Sequence, residues 1–227
     1  MIANGNKFTL RVDGEVVSAF QDSKQKFSQG SIRLGFYGGK FEIRKIEIKE
    51  LTPIDAARQL GVELLKNPGC EEPLVDGKIP GWTGMSGNWQ PRLDNPPPQE
   101  GRAYFFAGAG RRGELTQEVS IQQYAAGVSD GTVTFAFTGY TRSFDSGGDP
   151  PDRAQLLIEY VGANDKFLGV AYDSGQTDET QKWVIHEPVL KPPVGTQIIR
   201  LRLVSIRRSQ VNNDSYFDGL SLKAVSR

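Results

Sequence analysis

Gln197-Ile198-Ile199-Arg200-Leu201-Arg202-Leu203-Val204-Ser205-Ile206 decides the fold class. Ile199, Leu201 and Leu203 alternate with Arg200 and Arg202. That period of two gives a strand one apolar and one polar face, whereas a helix needs apolar residues three and four apart. The same pattern recurs on both sides. Leu220, Leu222 and Ala224 alternate with Ser221 and Lys223, and the run from Thr132 to Thr138 sets Val133, Phe135 and Phe137 on one face. Further strands are expected at 87–93, 102–108, 113–120, 154–161, 167–173, 182–190 and 216–225, separated by Gly- and Pro-containing turns. Many strands in succession predict an all-β, antiparallel sandwich or jelly roll over residues 67–227.

The first fifty residues read as a smaller piece of sheet. Phe8, Leu10 and Val12 alternate with polar neighbours, and Asp13-Gly14 is a hairpin signal before a second strand at 16–20. Ile32, Leu34 and Phe36 suggest a third strand; Phe41, Ile43, Ile46 and Ile48 suggest a fourth, with a break in phase near Lys45. Residues 1–51 are therefore expected to form a partial antiparallel sheet. An incomplete sheet leaves a sticky edge, so it should pack on the larger domain or make a chain–chain contact with another copy. Thr52-Pro53-Ile54-Asp55 then starts a helix by its capping pattern. Ile54, Ala57, Leu60 and Leu64 supply one apolar face, and Pro68 ends it. Residues 52–66 are thus expected as a short connecting helix.

Composition excludes several functions. Lys plus Arg and Asp plus Glu are both 27, and this balance argues against nucleic-acid binding. No apolar run approaches the ~20 residues of a membrane span, and the N-terminus shows no signal peptide. One Cys and one His leave no intrachain disulfide and too few ligands for a Cys/His zinc site. No G-x-S-x-G, P-loop or dinucleotide fingerprint occurs.

Several segments, taken in order, resemble the galactose-binding-like jelly roll of many carbohydrate-binding modules. Asn67-Pro68-Gly69-Cys70-Glu71 is similar to their opening Asn-x-Gly-Phe-Glu, with Cys70 in place of the aromatic. Ile79-Pro80-Gly81-Trp82, Tyr104-Phe105-Phe106-Ala107-Gly108 and Leu115-Thr116-Gln117-Glu118-Val119 follow. Asn213-Asp214-Ser215-Tyr216-Phe217-Asp218 and Leu220-Ser221-Leu222 resemble the closing strand. Leu64-Leu65-Lys66-Asn67-Pro68 is also similar to the opening of F-box-associated glycan-binding domains. In the first fifty residues, Val12-Asp13-Gly14, Gly30-Ser31-Ile32-Arg33-Leu34 and Phe41 to Leu51 resemble the last strands of a concanavalin-like sandwich of the 3-keto-disaccharide hydrolase type. Only the tail of such a domain is present, so its activity does not carry over.

The resemblance implies a non-catalytic carbohydrate-binding module, part of a larger glycan-processing or surface protein, extracellular or in the cell envelope. It also implies a structural calcium shared by Glu71 and Asp218, with backbone carbonyls completing the ~6–8 ligands that Ca²⁺ takes. The glycan partner, expected to be neutral and to lie at the loop end or on the concave face of the jelly roll, would stack on an aromatic ring while polar neighbours bind its hydroxyls. Trp82, Trp89, Tyr104, Tyr140, Tyr172 and Trp183 are the candidate platforms. Trp82 and Phe106 read as core. Trp89 beside Asn88, Gln90 and Arg92, and Tyr140 beside Gly139 and Arg142, are expected to be exposed. The ligand site is therefore expected at Trp89, Arg92, Tyr140 and Arg142. Arg200 and Arg202 are expected to pair across the sheet, Asp145, Asp149 and Asp152 to be turn residues, and His186 to be structural. Two alternatives stand beside this reading: a structural or protein-interaction sandwich, and the remnant of a sugar hydrolase.

Overall fold

The computed structural model describes residues 2–4, 7–12, 15–21 and 60–227. The chain divides into two compact units, Met1–Glu50 and Leu51–Arg227. In the first, β1 (Ile2–Asn4), β2 (Lys7–Val12) and β3 (Glu15–Gln21) form an antiparallel sheet in that order. The strands expected at 32–36 and 41–48 lie outside the described residues, as does the Asp13-Gly14 turn.

The second unit is a two-sheet antiparallel sandwich. Its strands are β4 (Thr83–Ser86), β5 (Gln90–Arg92), β6 (Tyr104–Phe106), β7 (Arg112–Ser120), β8 (Val133–Ser143), β9 (Arg153–Val161), β10 (Phe167–Asp173), β11 (Val184–His186), β12 (Val189–Leu190), β13 (Ile198–Ile206) and β14 (Ser215–Ser226). One sheet has the order β10-β9-β13-β7-β4 and the other β11-β8-β14-β6-β5, with β12 also on β8. From β6 to β9 the chain alternates between the two sheets, the crossing pattern of a jelly roll. The expected strands recur with small shifts; the edge strand β4, whose four residues are all exposed, carries no alternation for the sequence reading to find.

The core lies between the sheets. Phe105, Phe135, Phe137, Phe217 and Leu222 from one sheet meet Leu115, Val119, Leu156, Ile158, Ile199 and Leu201 from the other. Trp82 is core as expected; its indole stands edge-on to Phe105 at 5.0 Å and donates to the Lys66 carbonyl.

The connector departs from the helical expectation where it is described. Residues 52–59 lie outside the described residues, but 60–66 run as turn and extended chain. Gly61 N–H donates to the Ala224 carbonyl at 2.8 Å, and Leu64 N–H donates to that of Leu222 at 2.9 Å. The Glu63 carboxylate accepts from Leu65 N–H, Leu222 N–H and the Ser221 hydroxyl. These bonds to β14 outweigh the helical spacing of Leu60 and Leu64. The described helix is instead α1 (Ala125–Ser129), a single short segment between β7 and β8.

The outer face of the five-stranded sheet is an ion-pair lattice. Register sets Arg200 opposite Glu118 on β7 and Glu159 on β9. Arg200 reaches Glu118 at 2.7 Å, and Arg202 reaches both Glu114 and Glu159 at 2.7 Å. Cross-sheet pairing, not ligand binding, accounts for these two arginines.

Candidate functional site

The outer face of the six-stranded sheet has the opposite character. β6 reads Tyr-Phe-Phe, so both of its faces are apolar: Phe105 enters the core, while Tyr104 and Phe106 point outward. They join Tyr216 of β14 in a second, smaller cluster, with ring centroids 4.9 Å apart for Tyr104–Tyr216 and 6.1 Å for Phe106–Tyr216. Trp183 stands edge-on to Tyr104 at 5.6 Å, and Phe144 packs on the rim. The segment between β5 and β6, with Pro96, Pro97 and Pro98, closes over part of this face. The Tyr104 hydroxyl donates to the Asp94 carbonyl at 2.7 Å and the Trp183 indole N–H to that of Pro97 at 3.1 Å. Burial raises the Tyr104 and Tyr216 phenols well above their ordinary range.

β14 must change phase to set Asp218 outward while Leu220 and Leu222 point into the core. It does so at a bulge between Asp218 and Ser221. Gly219 has φ +53°, and a Cβ there would lie 2.9 Å from the Tyr140 ring. Glycine is required on both counts.

The expected ligand residues separate into two groups. Trp89 is only 6% exposed, against the expectation. Its ring packs on Phe217 at 6.0 Å and its N–H donates to the Ser86 carbonyl at 2.8 Å. Pro91, between Gln90 and Arg92, pairs with Phe105, and the indole fills the core end beside it. Trp89 is therefore a core residue and unavailable as a platform. Tyr140 and Arg142 lie two apart on β8 and so share a face; Tyr140 is opposite Ile185 and Asp218, and Arg142 opposite Tyr216. Both are half-buried. Arg92 belongs to the same face, since Tyr216 pairs with Phe106 and Phe106 with Gln90. Its guanidinium lies 5.0 Å over Phe106, bonds Asp214 at 3.1 Å and donates to the Tyr216 hydroxyl at 3.2 Å. Arg92 is thus held by the cluster, while Arg142 donates through Nε to the Thr180 carbonyl at 3.1 Å. Trp183 is the functional candidate that the preference for Trp89 displaced; three aromatics in a row at 104–106 were the signal that this face was built to carry rings.

Glu71 and Asp218 stand on either side of Gly69. A Cβ on Gly69 would be 3.6 Å from Glu71 Oε1 and 3.9 Å from Asp218 Oδ1. Asp218 is fully buried, which pushes its carboxyl up to about 6 despite N–H donors from Gln99, Glu100 and Gly219; nearby Glu71 adds to the rise. Glu71 Oε1 accepts from Arg102 and Ala103 N–H at 2.8 and 3.1 Å. Glu71 Oε2 accepts no backbone N–H but lies 3.8 Å from the Arg102 guanidinium, so a cation held by Glu71 and Asp218 would have to displace that pairing. Cys70, between the acids and fully buried, has its thiol pushed far up by burial and is inert. Among the described residues no cluster of three or more His, Cys, Asp or Glu could hold a metal on side chains alone.

His186 is buried and bridges the sheet edges. Nε2 is 2.9 Å from the Thr141 hydroxyl and Nδ1 is 2.9 Å from the Tyr172 hydroxyl. Burial lowers its pKa. Asp145 and Asp149 serve loop bonds, and buried Asp152 accepts from Asp214 N–H at 2.7 Å. Asp152 lines a small pocket with Phe144 and Asp214, at the rim of the aromatic cluster.

No protein-family model and no curated protein matches the sequence. Solved structures do match the sandwich. It is similar to the enzymatically active domain of bacteriophage CBA120 tailspike protein 4, with 10% identity and a TM-score of 0.51. That match covers 72% of this chain and 22% of the tailspike chain. It is similar to a cyclase from Fischerella sp. TAU, with 14% identity, a TM-score of 0.51, and coverage of 73% of this chain and 98% of the cyclase. A further match is TmCBM61, solved with beta-1,4-galactotriose: 17% identity, TM-score 0.45, covering 73% of this chain and 99% of that one. At these identities the likeness is one of fold.

Proposed function

We propose that the sandwich is a non-catalytic glycan-binding module whose sugar lies on the outer face of the six-stranded sheet, against Tyr140, Arg142 and Trp183. The observation that carries this reading is the concentration of half-buried aromatic and guanidinium groups on one face of rigid strands, opposite a face whose charges cancel in pairs. A pyranose ring has an apolar face that packs on an aromatic ring, and its hydroxyls take hydrogen bonds from Arg142 and from neighbouring polar groups such as Gln90. The non-catalytic part of the reading is supported by the partners of neighbouring acids: three of the four carboxylate oxygens of Glu71 and Asp218 accept backbone N–H groups and Asp218 is closed off from solvent, while Asp152 accepts from Arg208 and Asp214 N–H and Asp214 is paired with Arg92. A shallow site of this kind is expected to bind at ~1 mM to 1 μM.

The module would act within a larger glycan-processing or surface protein, outside the cell or in its envelope. Calcium is proposed as a structural ion at Glu71 and Asp218, where it would offset the repulsion between two neighbouring carboxylates. A glycan screen of the whole chain, with and without calcium, tests the reading. Trp183→Ala and Tyr140→Ala should lose binding while keeping the fold by circular dichroism. Unchanged affinity in both variants, or no binding across the screen, would remove the site.

A further inference from the structure

Arg142 is half-buried and has no carboxylate within ion-pair distance among the described residues, whereas Arg92 has one and Arg200 and Arg202 have two each. Its Nε–H is fixed on the Thr180 carbonyl, which orients the guanidinium and leaves the terminal Nη1 and Nη2 groups for another partner. The strand register frames it with rings. Tyr216 is directly opposite on β14, Tyr140 is two residues away on the same face, and Val184 pairs with Thr141, so Trp183, just before β11, falls beside Arg142. A partly desolvated guanidinium gains most from a planar anion that takes two parallel N–H bonds.

Resting on the glycan reading above, we infer that this site selects a sugar bearing a carboxylate, a uronic-acid unit, with the carboxylate on Arg142 and the ring against Trp183 or Tyr140. The carboxylate of a uronic acid projects from the edge of the pyranose. A ring stacked on an aromatic therefore presents it sideways, to a cation beside that aromatic and not beneath it. A sulfate ester can also present two oxygens to the fork, so a sulfated sugar is one arm of the test.

The test compares oligosaccharides of galacturonic and glucuronic acid with their methyl esters, by calorimetry on the whole chain. The ester keeps the sugar and removes the charge. The acid is expected to bind about ten- to a hundredfold more tightly, the range of a hydrogen-bonded charge, and the gap should narrow as salt rises. Arg142→Gln should bring acid and ester to the same affinity, and Arg142→Lys should restore part of the preference, since it keeps the charge and loses the fork. Equal binding of acid and ester by the parent chain overturns the inference and leaves the glycan reading standing. Tighter binding of a sulfated oligosaccharide than of the uronate overturns the carboxylate assignment. No binding of acid, ester or neutral glycan overturns both. The parent chain's own preference decides the matter should Arg142→Gln fail to fold.

Discussion

Replacing Trp89 by alanine should cripple the fold, and replacing Trp183 should not. The Trp89 indole is 6% exposed, lies against Phe217, and donates its N–H to the Ser86 carbonyl. Gly113 is close beneath it: a Cβ there would meet the indole at 3.2 Å and Ala107 at 2.6 Å, so little can move in to fill the space. Removing a buried tryptophan side chain costs about 3–5 kcal/mol, and the abandoned carbonyl adds about 1 kcal/mol. The sum of ~4–6 kcal/mol is a large share of the ~5–15 kcal/mol available to a domain. At roughly 2–4 °C per kcal/mol for a domain of this size, Trp89→Ala should lower Tm by about 8–24 °C. Trp89→Phe keeps most of the ring and should lose less than half as much. Trp183 is only half-buried, at the margin of the Tyr104 cluster, and its loss should cost less stability. Urea and thermal unfolding of the three variants, followed by circular dichroism, give the comparison. A Trp89→Ala protein that melts within about 3 °C of the parent, yet no longer binds sugar, would refute the packing argument and return Trp89 to the ligand site.

The remaining expectations can be tested with the same unfolding assays. His186 is held neutral by burial, so its folded pKa lies below the unfolded value of 6.5. The unfolded chain then binds the extra proton, and stability should fall as pH drops below 6.5, by up to ~1.4 kcal/mol per pH unit; the difference between parent and His186→Gln stability curves should isolate this slope, and a flat difference would contradict it. Glu159 bonds Arg202 at 2.7 Å and lies 3.6 Å from Arg200; Glu159→Gln should destabilise by about 1 kcal/mol, with the loss shrinking in 1 M salt, roughly a 3 Å screening length. Calcium at a few millimolar, added after chelation, should raise Tm if the ion binds only the folded chain. Asp218→Asn should abolish that rise, and an unmoved parent Tm would dismiss the ion.

Periodicity made most of the sandwich legible. β13 and β14 were readable because apolar and polar residues alternate along Ile199–Leu203 and Leu220–Ala224, and two arginines on one strand face foretold pairing with acids of neighbouring strands. The surface of the other sheet was harder to read. Exposure of a single aromatic depends on what crosses above it, and no local pattern says that the proline-rich segment covers Tyr104 or that Pro91 draws Trp89 into the core. The hydrophilic company of Trp89 (Asn88, Gln90 and Arg92) pointed to solvent, yet those side chains belong to the other face and the loop. The segment 60–64 has helical spacing, but Glu63 finds two donors on β14, Ser221 and Leu222, that the sequence alone does not bring to it.

That pairing of the segment at Gly61 with β14 at Ala224 sets how the sandwich responds to load. The incoming and outgoing strands are antiparallel neighbours, joined by two backbone bonds at one corner of the fold. Tension applied to both would fall on the outermost bond first and then on the next. The contact therefore peels in sequence and does not share the force, as a pair sheared lengthwise would. Behind the Gly61 bond the Glu63 carboxylate, held by Leu222 N–H and the Ser221 hydroxyl, is the next tie to take the load. Side-by-side attachment points also let the fold hang from a single place, so inserting it into a host loop requires little separation between the two joins.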